Sequence, residues 1–438
     1  MISDDRTLAD LVKDSMAKEI LLGVPDLHGR LQGKRFNAEV FMDRMTSGTE
    51  MCGYVVASDI DMTPFDRTGI TGWDQGFRDM LIRPELDTRR LLKPGTALVL
   101  GTPCDDNGAP LRIAPRQVLV GQTESLRRDG HTVKAGIEVE FVLYRRGTAG
   151  WEPAWSDNLD YSLGYPAAEA GDFLRTLGAT LTGARIRWES IKTEGAPGQV
   201  EIALAYGDPL DACDDYAVLR QVVRESAAKY GLVPAFMAAP QTDIGSGLHM
   251  HLSLWSLDGQ PRFAHERDEA APEVMDLATA GLISALPYLA PMYAPYPNSY
   301  KRYRPHSFAP TRFNWGVDNR ACAIRVTGHG RAARLEVRLA GADANPYTTL
   351  GAYLAAVIHG LKDTPALPPP QAGDAYQDNR SLPLPSDLAE AVAAFRHSTI
   401  AEELLGRTVV QHYTQAARTE LEHHRLQVTD VEQRRGIR

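Results

Sequence analysis

Residues 132–144 alternate apolar and polar positions and are rich in β-branched and aromatic side chains. That pattern predicts a strand with Glu138 and Glu140 on one face and Val139 behind them. The same period of two runs through residues 245–255, where His249, His251 and Ser253 share a face opposite Leu248, Met250, Leu252 and Leu254. It returns over 333–339 with Arg334, Glu336 and Arg338 on one side. Glu194 precedes a tight Pro197-Gly198 turn, and Glu201 falls on the strand that follows. Shorter strands are predicted over 20–25, 54–62, 96–101 and 234–240. Residues 74–90, broken by Pro84, read as loop, and Gly33-Lys34-Arg35 belongs to a charged, Gly-rich turn. Helical periodicity marks 7–18, 117–128, 208–230, 273–288, 342–360, 386–394 and 401–424. The first 105 or so residues therefore read as a small α+β unit. No Gly-x-Gly-x-x-Gly follows the first strand and there is no Walker loop, so a nucleotide needs another kind of site.

With 438 residues, 43% hydrophobic and 24% charged, the chain supports a large core and two domains. Its net charge of −9 argues against nucleic acid or an anionic membrane as partner. No apolar run approaches the roughly 20 residues that span a bilayer. The acidic N-terminus lacks the basic start and apolar core of a secretion signal, so a cytoplasmic location is expected. The four cysteines show no C-x-x-C spacing, which points to neither a zinc cage nor a disulfide framework.

Taken singly, Glu-x-Glu, His-x-His and Arg-x-Glu-x-Arg are each as readily a solvated sheet face as a site. Collected from one face of each strand, Glu138, Glu140, Glu194, Glu201 and Glu336 with His249 and His251 form a hard-oxygen set. It suits Mg²⁺ or Mn²⁺ and is able to hold more than one ion. Beside it stands a cationic set, Arg302, Arg320, Arg325, Arg334 and Arg338, suited to gripping carboxylate or phosphate. Acids for metals and arginines for anions are the parts for phosphoryl transfer from ATP.

These segments, in this order, resemble the glutamine synthetase superfamily in its bacterial type I branch. The matching runs are GIEVEF, EGAPGQVEI, GSGLHMHLSLW, NSYKR, NRACAIR, RLEVR and NPY, with DLHGRLQGKR and TGWDQGFRDMLIRPELDT upstream. The resemblance implies an α+β chain with a β-grasp domain over 1–110. A catalytic domain over 111–438 would carry an antiparallel sheet curved into a half-barrel and flanked by helices. It also implies a homo-dodecamer with active sites between subunits. Carried over residue by residue, Glu140, Glu194 and Glu201 would hold one metal, and Glu138, His249 and Glu336 the second, with two or three ions per site. Arg302 and Arg338, with Gly245 beside them, would bind the glutamate substrate. Arg320, Arg325 and Arg334 would face the phosphates, and Glu189, His251 and Ser253 would lie along the nucleotide. The implied chemistry phosphorylates the γ-carboxylate of L-glutamate with ATP, after which a nitrogen nucleophile displaces phosphate.

Departures from the family pattern bear on the nucleophile. The flap run is Pro305-His306-Ser307-Phe308-Ala309-Pro310, which puts Phe308 where the family carries an ammonium-binding Glu. Phenylalanine cannot attract a small cation as a carboxylate does, although its ring can contact a larger amine. The ammonium-binding Asp loop reads Phe65-Asp66-Arg67-Thr68-Gly69-Ile70, and Ile244 replaces an Asn that contacts glutamate. These changes resemble the γ-glutamyl-amine ligases of the superfamily, which act on polyamines, ethanolamine, alkylamines or aromatic amines. The expected activity is thus an ATP-dependent ligase making a γ-glutamyl amide for amine catabolism or detoxification. Asp66 and Tyr161 or Tyr165 are candidates to deprotonate the amine. The rivals are a true glutamine synthetase using ammonia and an inactive structural or regulatory ring. Tyr376 falls near the loop that type I enzymes adenylylate, in a run that does not match the modified motif.

Overall fold

The computed structural model describes residues 7–65, 71–148, 150–267 and 269–437. A first sheet of five strands uses β1 (Ala17–Pro25), β2 (Leu31–Asn37), β3 (Thr49–Cys52), β4 (Asp79–Lys93) and β5 (Gly95–Cys104), in the order β2-β1-β5-β4-β3. Only the central β1–β5 pair is parallel. Its core gathers Ile20, Leu22, Phe41, Ile82 and Val99.

Three sequence readings of this part are corrected. Residues 54–62 do not form a strand: Gly53–Val56 is a 3₁₀ turn. The Asp59 carboxylate then accepts from the amides of Asp61 and Thr63, and that local turn competes with pairing. Residues 79–93 are strand and not loop. Pro84 is tolerated because β3 covers β4 only from Asp79 to Ile82, leaving Pro84 on a free edge beside a register shift. Gly33-Lys34-Arg35 lies within β2, and the turn proper is Asp26–Arg30. There the Asp26 carboxylate accepts from the amides of His28 and Arg30, and Gly29 takes φ +68°.

The second sheet has nine strands: β6 (His131–Gly147), β7 (Gly150–Pro153), β8 (Trp188–Thr193), β9 (Gln199–Leu204), β10 (Leu232–Ala235), β11 (Leu248–Ser256), β12 (Trp315–Val317), β13 (Ile324–Thr327) and β14 (Arg334–Val337). The main path runs β12-β13-β14-β11-β6-β9-β8, with β7 and β10 also paired to β6. The strand expected over 234–240 is only β10; past it the Ala239 amide turns aside to the Asn298 side chain. One face of this sheet is apolar. Ile137, Val139, Phe141, Leu248, Met250 and Leu252 are all buried there, in one cluster with the helices Pro115–Arg128, Pro209–Ala228 and Pro346–Asp363. Among the described residues, no helix is long and apolar enough to cross a membrane.

Two motifs turn out to join the sheets. Asn345 caps the helix Pro346–Asp363 through the Tyr347 amide, while its Nδ2 donates to the carbonyls of Asp26 and Leu27. Neighbouring aspartates on the helix Pro209–Ala228 take up arginines from either side. Asp214 receives Arg116 through two 3.1 Å bonds and Tyr347 at 2.7 Å, and Asp215 receives Arg90 at 2.7 Å and Arg187 at 3.0 Å.

Candidate active site

Strand pairing sets the predicted acids against one another on the face opposite the core. Glu140 of β6 stands opposite Glu201 of β9, and Glu201 is in turn opposite Lys192 of β8. Glu138 stands opposite His249 of β11, and His251 opposite Glu336 of β14, which is flanked by Arg325 of β13. Because alternate residues of a strand share a face, these rows lie side by side.

Among the described residues, three groups of ligand atoms each fall within 4.8 Å: Glu140, Glu194 and Glu201; Glu138, Glu201 and His249; Glu138, His251 and Glu336. The first is the trio expected for one metal. In the second expected set, His249 Nδ1 lies 3.7 Å from Glu138 and 3.9 Å from Glu336. Neutral imidazole nitrogen and several carboxylate oxygens fit a hard divalent cation better than a thiolate-loving one. The electrostatics agree. Burial drives the carboxyls of Glu201 and Glu194 upward and their acidic neighbours add to it, so the trio resists carrying its full charge without a cation. Burial also pushes Glu336 up, but Arg338 and the two histidines outweigh it and hold it at about 2. Burial keeps His249 below its ordinary value, with Arg338 adding to it, so the ring is neutral and free to donate a lone pair.

Supporting contacts fix these groups. The Gly247 amide and Gln199 Nε2 both donate to Glu140 Oε2, at 2.8 and 3.1 Å, and Gln199 also reaches the Gly245 carbonyl at 2.9 Å. A Cβ at Gly247 would stand 2.6 Å from His249 Nε2 and 2.9 Å from Arg302 Nη2, so a larger residue there would have to push aside these two buried side chains. Arg302 is buried against the carbonyls of Arg338 and Leu339. Arg338 is buried beside Glu336, and among the described residues its Nε has no hydrogen-bond partner, a donor left over for an anion. Arg325 bridges Glu336 at 2.9 Å and Asp318 at 2.7 Å. Arg334 Nε donates to His251 Nδ1 at 3.1 Å, whose Nε2 lies 3.0 Å from Glu138.

Beyond Glu138 the face opens into a cavity of about 350 Å³ that also takes in Glu189, His251, Ser253 and Arg334. Its far wall is Trp255, with Lys134 Nζ 4.0 Å and the Arg331 guanidinium 5.1 Å from the ring centroid, and Tyr206 beside them. These four were not singled out from sequence, although parity carried a signal: Lys134 alternates with Glu138, and Trp255 with His251. Gln199 and Lys192 were also missed. Lys192 is held by Glu194 and lies 3.7 Å from Glu201. Burial works against its charge, but the two carboxylates prevail and raise its pKa.

Other candidates stand apart from this cluster. Arg320 is exposed on the turn 318–323 and, among the described residues, makes no ion pair with the acids. Phe308 and Tyr161 are 69% and 71% exposed, both at positive φ. Tyr161 does lie beneath Lys192, at 4.5 Å, whereas Tyr165 faces Arg175. Asp66 lies outside the described residues.

Residues 112–435 match the family described as glutamine synthetase, catalytic domain. The chain belongs to the glutamine synthetase family. It is 40% identical over 430 residues to the γ-glutamylethanolamide synthetase GlnA4 of Streptomyces coelicolor, covering 95% of this chain and 92% of that one. Identity is 33% to a glutamate–isopropylamine ligase of a Pseudomonas species (93% and 92% covered) and 30% to the γ-glutamylputrescine synthetase PuuA of Escherichia coli K12 (93% and 89%). Among solved structures, a GmaS/ADP complex superposes with a TM-score of 0.84 at 24% identity, over 98% of this chain and 99% of that one. The α+β fold expected from the motifs is thus borne out, as is the likeness to the amine-ligase branch.

Proposed function

We propose that this glutamine synthetase family member is an ATP-dependent carbon–nitrogen ligase joining the γ-carboxylate of L-glutamate to an organic amine. It releases ADP and phosphate by way of a γ-glutamyl phosphate. The carrying observation is the row of acids and histidines brought within ligand distance on one sheet face, with Arg302, Arg325, Arg334 and Arg338 beside it, together with a flap run in which Phe308 stands where the family resemblance expects a carboxylate. The three relatives named above, each a ligase of glutamate and an organic amine by name, support the same branch.

In this reading Glu140, Glu194 and Glu201 hold one ion, and Glu138, His249 and Glu336 a second. Mg²⁺ or Mn²⁺ bound there supplies charge neutralisation for the transferring phosphoryl group. Arg302 and Arg338 receive the carboxylates of glutamate, and the unpartnered Arg338 Nε is a donor in reserve for them. Arg325 and Arg334, with Arg320 from the exposed turn, balance phosphate charge. The cavity beside Glu189, His251 and Ser253 takes the nucleotide, with Trp255 as a stacking wall. Withholding water from the acyl phosphate favours aminolysis over hydrolysis. Phe308 offers an apolar contact to the amine's substituent, and Asp66 or Tyr161 accepts its proton. The exposed Phe308, Tyr161 and Trp73, which is 83% exposed, favour a homo-oligomer, and the family resemblance makes a dodecamer with sites shared between neighbours the expected form.

The test is phosphate release by purified protein with ATP, Mg²⁺ and glutamate, comparing ammonia with a library of amines, and mass spectrometry of the γ-glutamyl products. An amine should outperform ammonia. Ammonia-dependent turnover at low millimolar concentration exceeding that of every amine would overturn the reading.

A further inference from the structure

Lys192, Glu201 and Glu140 form one row across β8, β9 and β6. The Lys192 ammonium is bonded to Glu194 and stands 3.7 Å from Glu201, two members of the Glu140–Glu194–Glu201 trio. Behind it lie two further places for a cation: the Asp160 carboxylate at 4.0 Å and the face of the Tyr161 ring at 4.5 Å. We propose that Lys192 is a tethered cation that neutralises the trio while no divalent ion is present and withdraws towards Asp160 and Tyr161 when one enters.

The argument is one of charge and reach. Three carboxylates within 4.8 Å are unstable together in a half-buried site. One ammonium offsets part of that charge, so the strand face keeps its shape before metal arrives. A lysine carries a point charge on a flexible four-carbon stem and gives up fewer directed bonds on leaving than an arginine fork would, whereas a main-chain donor cannot leave at all. Its presence lowers the apparent metal affinity by the fraction of molecules in which the trio is free. Its ammonium already lies 4.5 Å from the Tyr161 ring and 4.0 Å from Asp160, so the withdrawal needs only a small rotation of the stem. The inference rests on the metal reading given under Proposed function.

The experiment is calorimetric titration of the full-length, nucleotide-free protein with Mn²⁺, alongside thermal melts with and without the ion. Lys192→Met keeps the stem and removes the charge. It should bind Mn²⁺ at least about threefold more tightly than wild type, melt lower without metal, and gain more on metal addition. Lys192→Arg should stay near wild type in the metal-free melt. Equal or weaker Mn²⁺ binding by Lys192→Met overturns the tether while leaving the metal site standing. If neither wild type nor variant binds Mn²⁺, the metal reading itself has failed, and the tether with it.

Discussion

Glu140 and Glu201 stand directly opposite each other across β6 and β9, two carboxylates where a sheet ordinarily pairs opposite charges or apolar groups. On the metal reading proposed above, such a pair is tolerated because a cation belongs there. Glu201→Gln should therefore raise the metal-free melting temperature by about 2 °C, the order expected when roughly 1 kcal/mol of cross-strand repulsion is removed. The same change should weaken Mn²⁺ binding at least about tenfold, since it removes a ligand from the trio. Melts and calorimetry on one preparation check both signs.

Tyr376 ties down the segment that carries Phe308. Its hydroxyl donates to the Ala309 carbonyl at 3.1 Å, and its ring lies 5.0 Å from that of His306. Tyr376→Phe removes the hydrogen bond and keeps the ring. The expected outcome is a KM for the amine raised about threefold to tenfold, the size of one hydrogen bond, with the KM for ATP unchanged. Steady-state kinetics varying one substrate at a time separates this from a general loss of folding.

His412 sets an acid limit on stability. Its ring is buried, donates from Nε2 to the Val56 carbonyl at 3.0 Å, and packs edge-on to Phe65. Burial holds its pKa down at about 4, with the Val56 bond opposing only in part. A folded-state value below the unfolded one means that protons bind the unfolded chain first. The stabilisation is whole above about pH 6.5 and is lost as pH falls towards 4. Between pH 7 and 5 this amounts to about 2 kcal/mol. Urea denaturation at the two pH values should show that loss in wild type and a smaller one in His412→Gln.

Asp214 receives Arg116 in two bonds and Tyr347 in a third, deep beneath the nine-stranded sheet. Asp214→Ala leaves a buried guanidinium without its partner and should cost about 3 kcal/mol or more. Chemical denaturation measures it. Asp214→Asn, which retains an acceptor for one bond, should lose less.

Parity was legible along the chain, and with it most of the site. Glu138 with Glu140, His249 with His251, and Glu336 with Arg338 share faces because each pair is two residues apart on a strand. The same rule covered Lys134 and Trp255, which went unread because a lysine and a tryptophan at strand ends resemble ordinary surface and core. Pro84 misled, since whether a proline breaks a strand depends on whether a neighbour needs its missing donor, and β3 ends before reaching it. No role for the NPY run was legible in sequence; Asn345 proves to be a helix cap bonded to a distant turn.

What the sequence determined by itself is which side chains leave a strand together, because covalent geometry imposes a period of two wherever the backbone is extended. What only the tertiary structure decided is which strands lie adjacent and in what register. A slip of one residue between β6 and β9 would turn Glu201 away from Glu140 and into the core. That register is held by the apolar backs of the strands, Ile137, Val139 and Ile202 among them, against helices far away in sequence. The long-range packing of one face thus fixes the chemistry of the other.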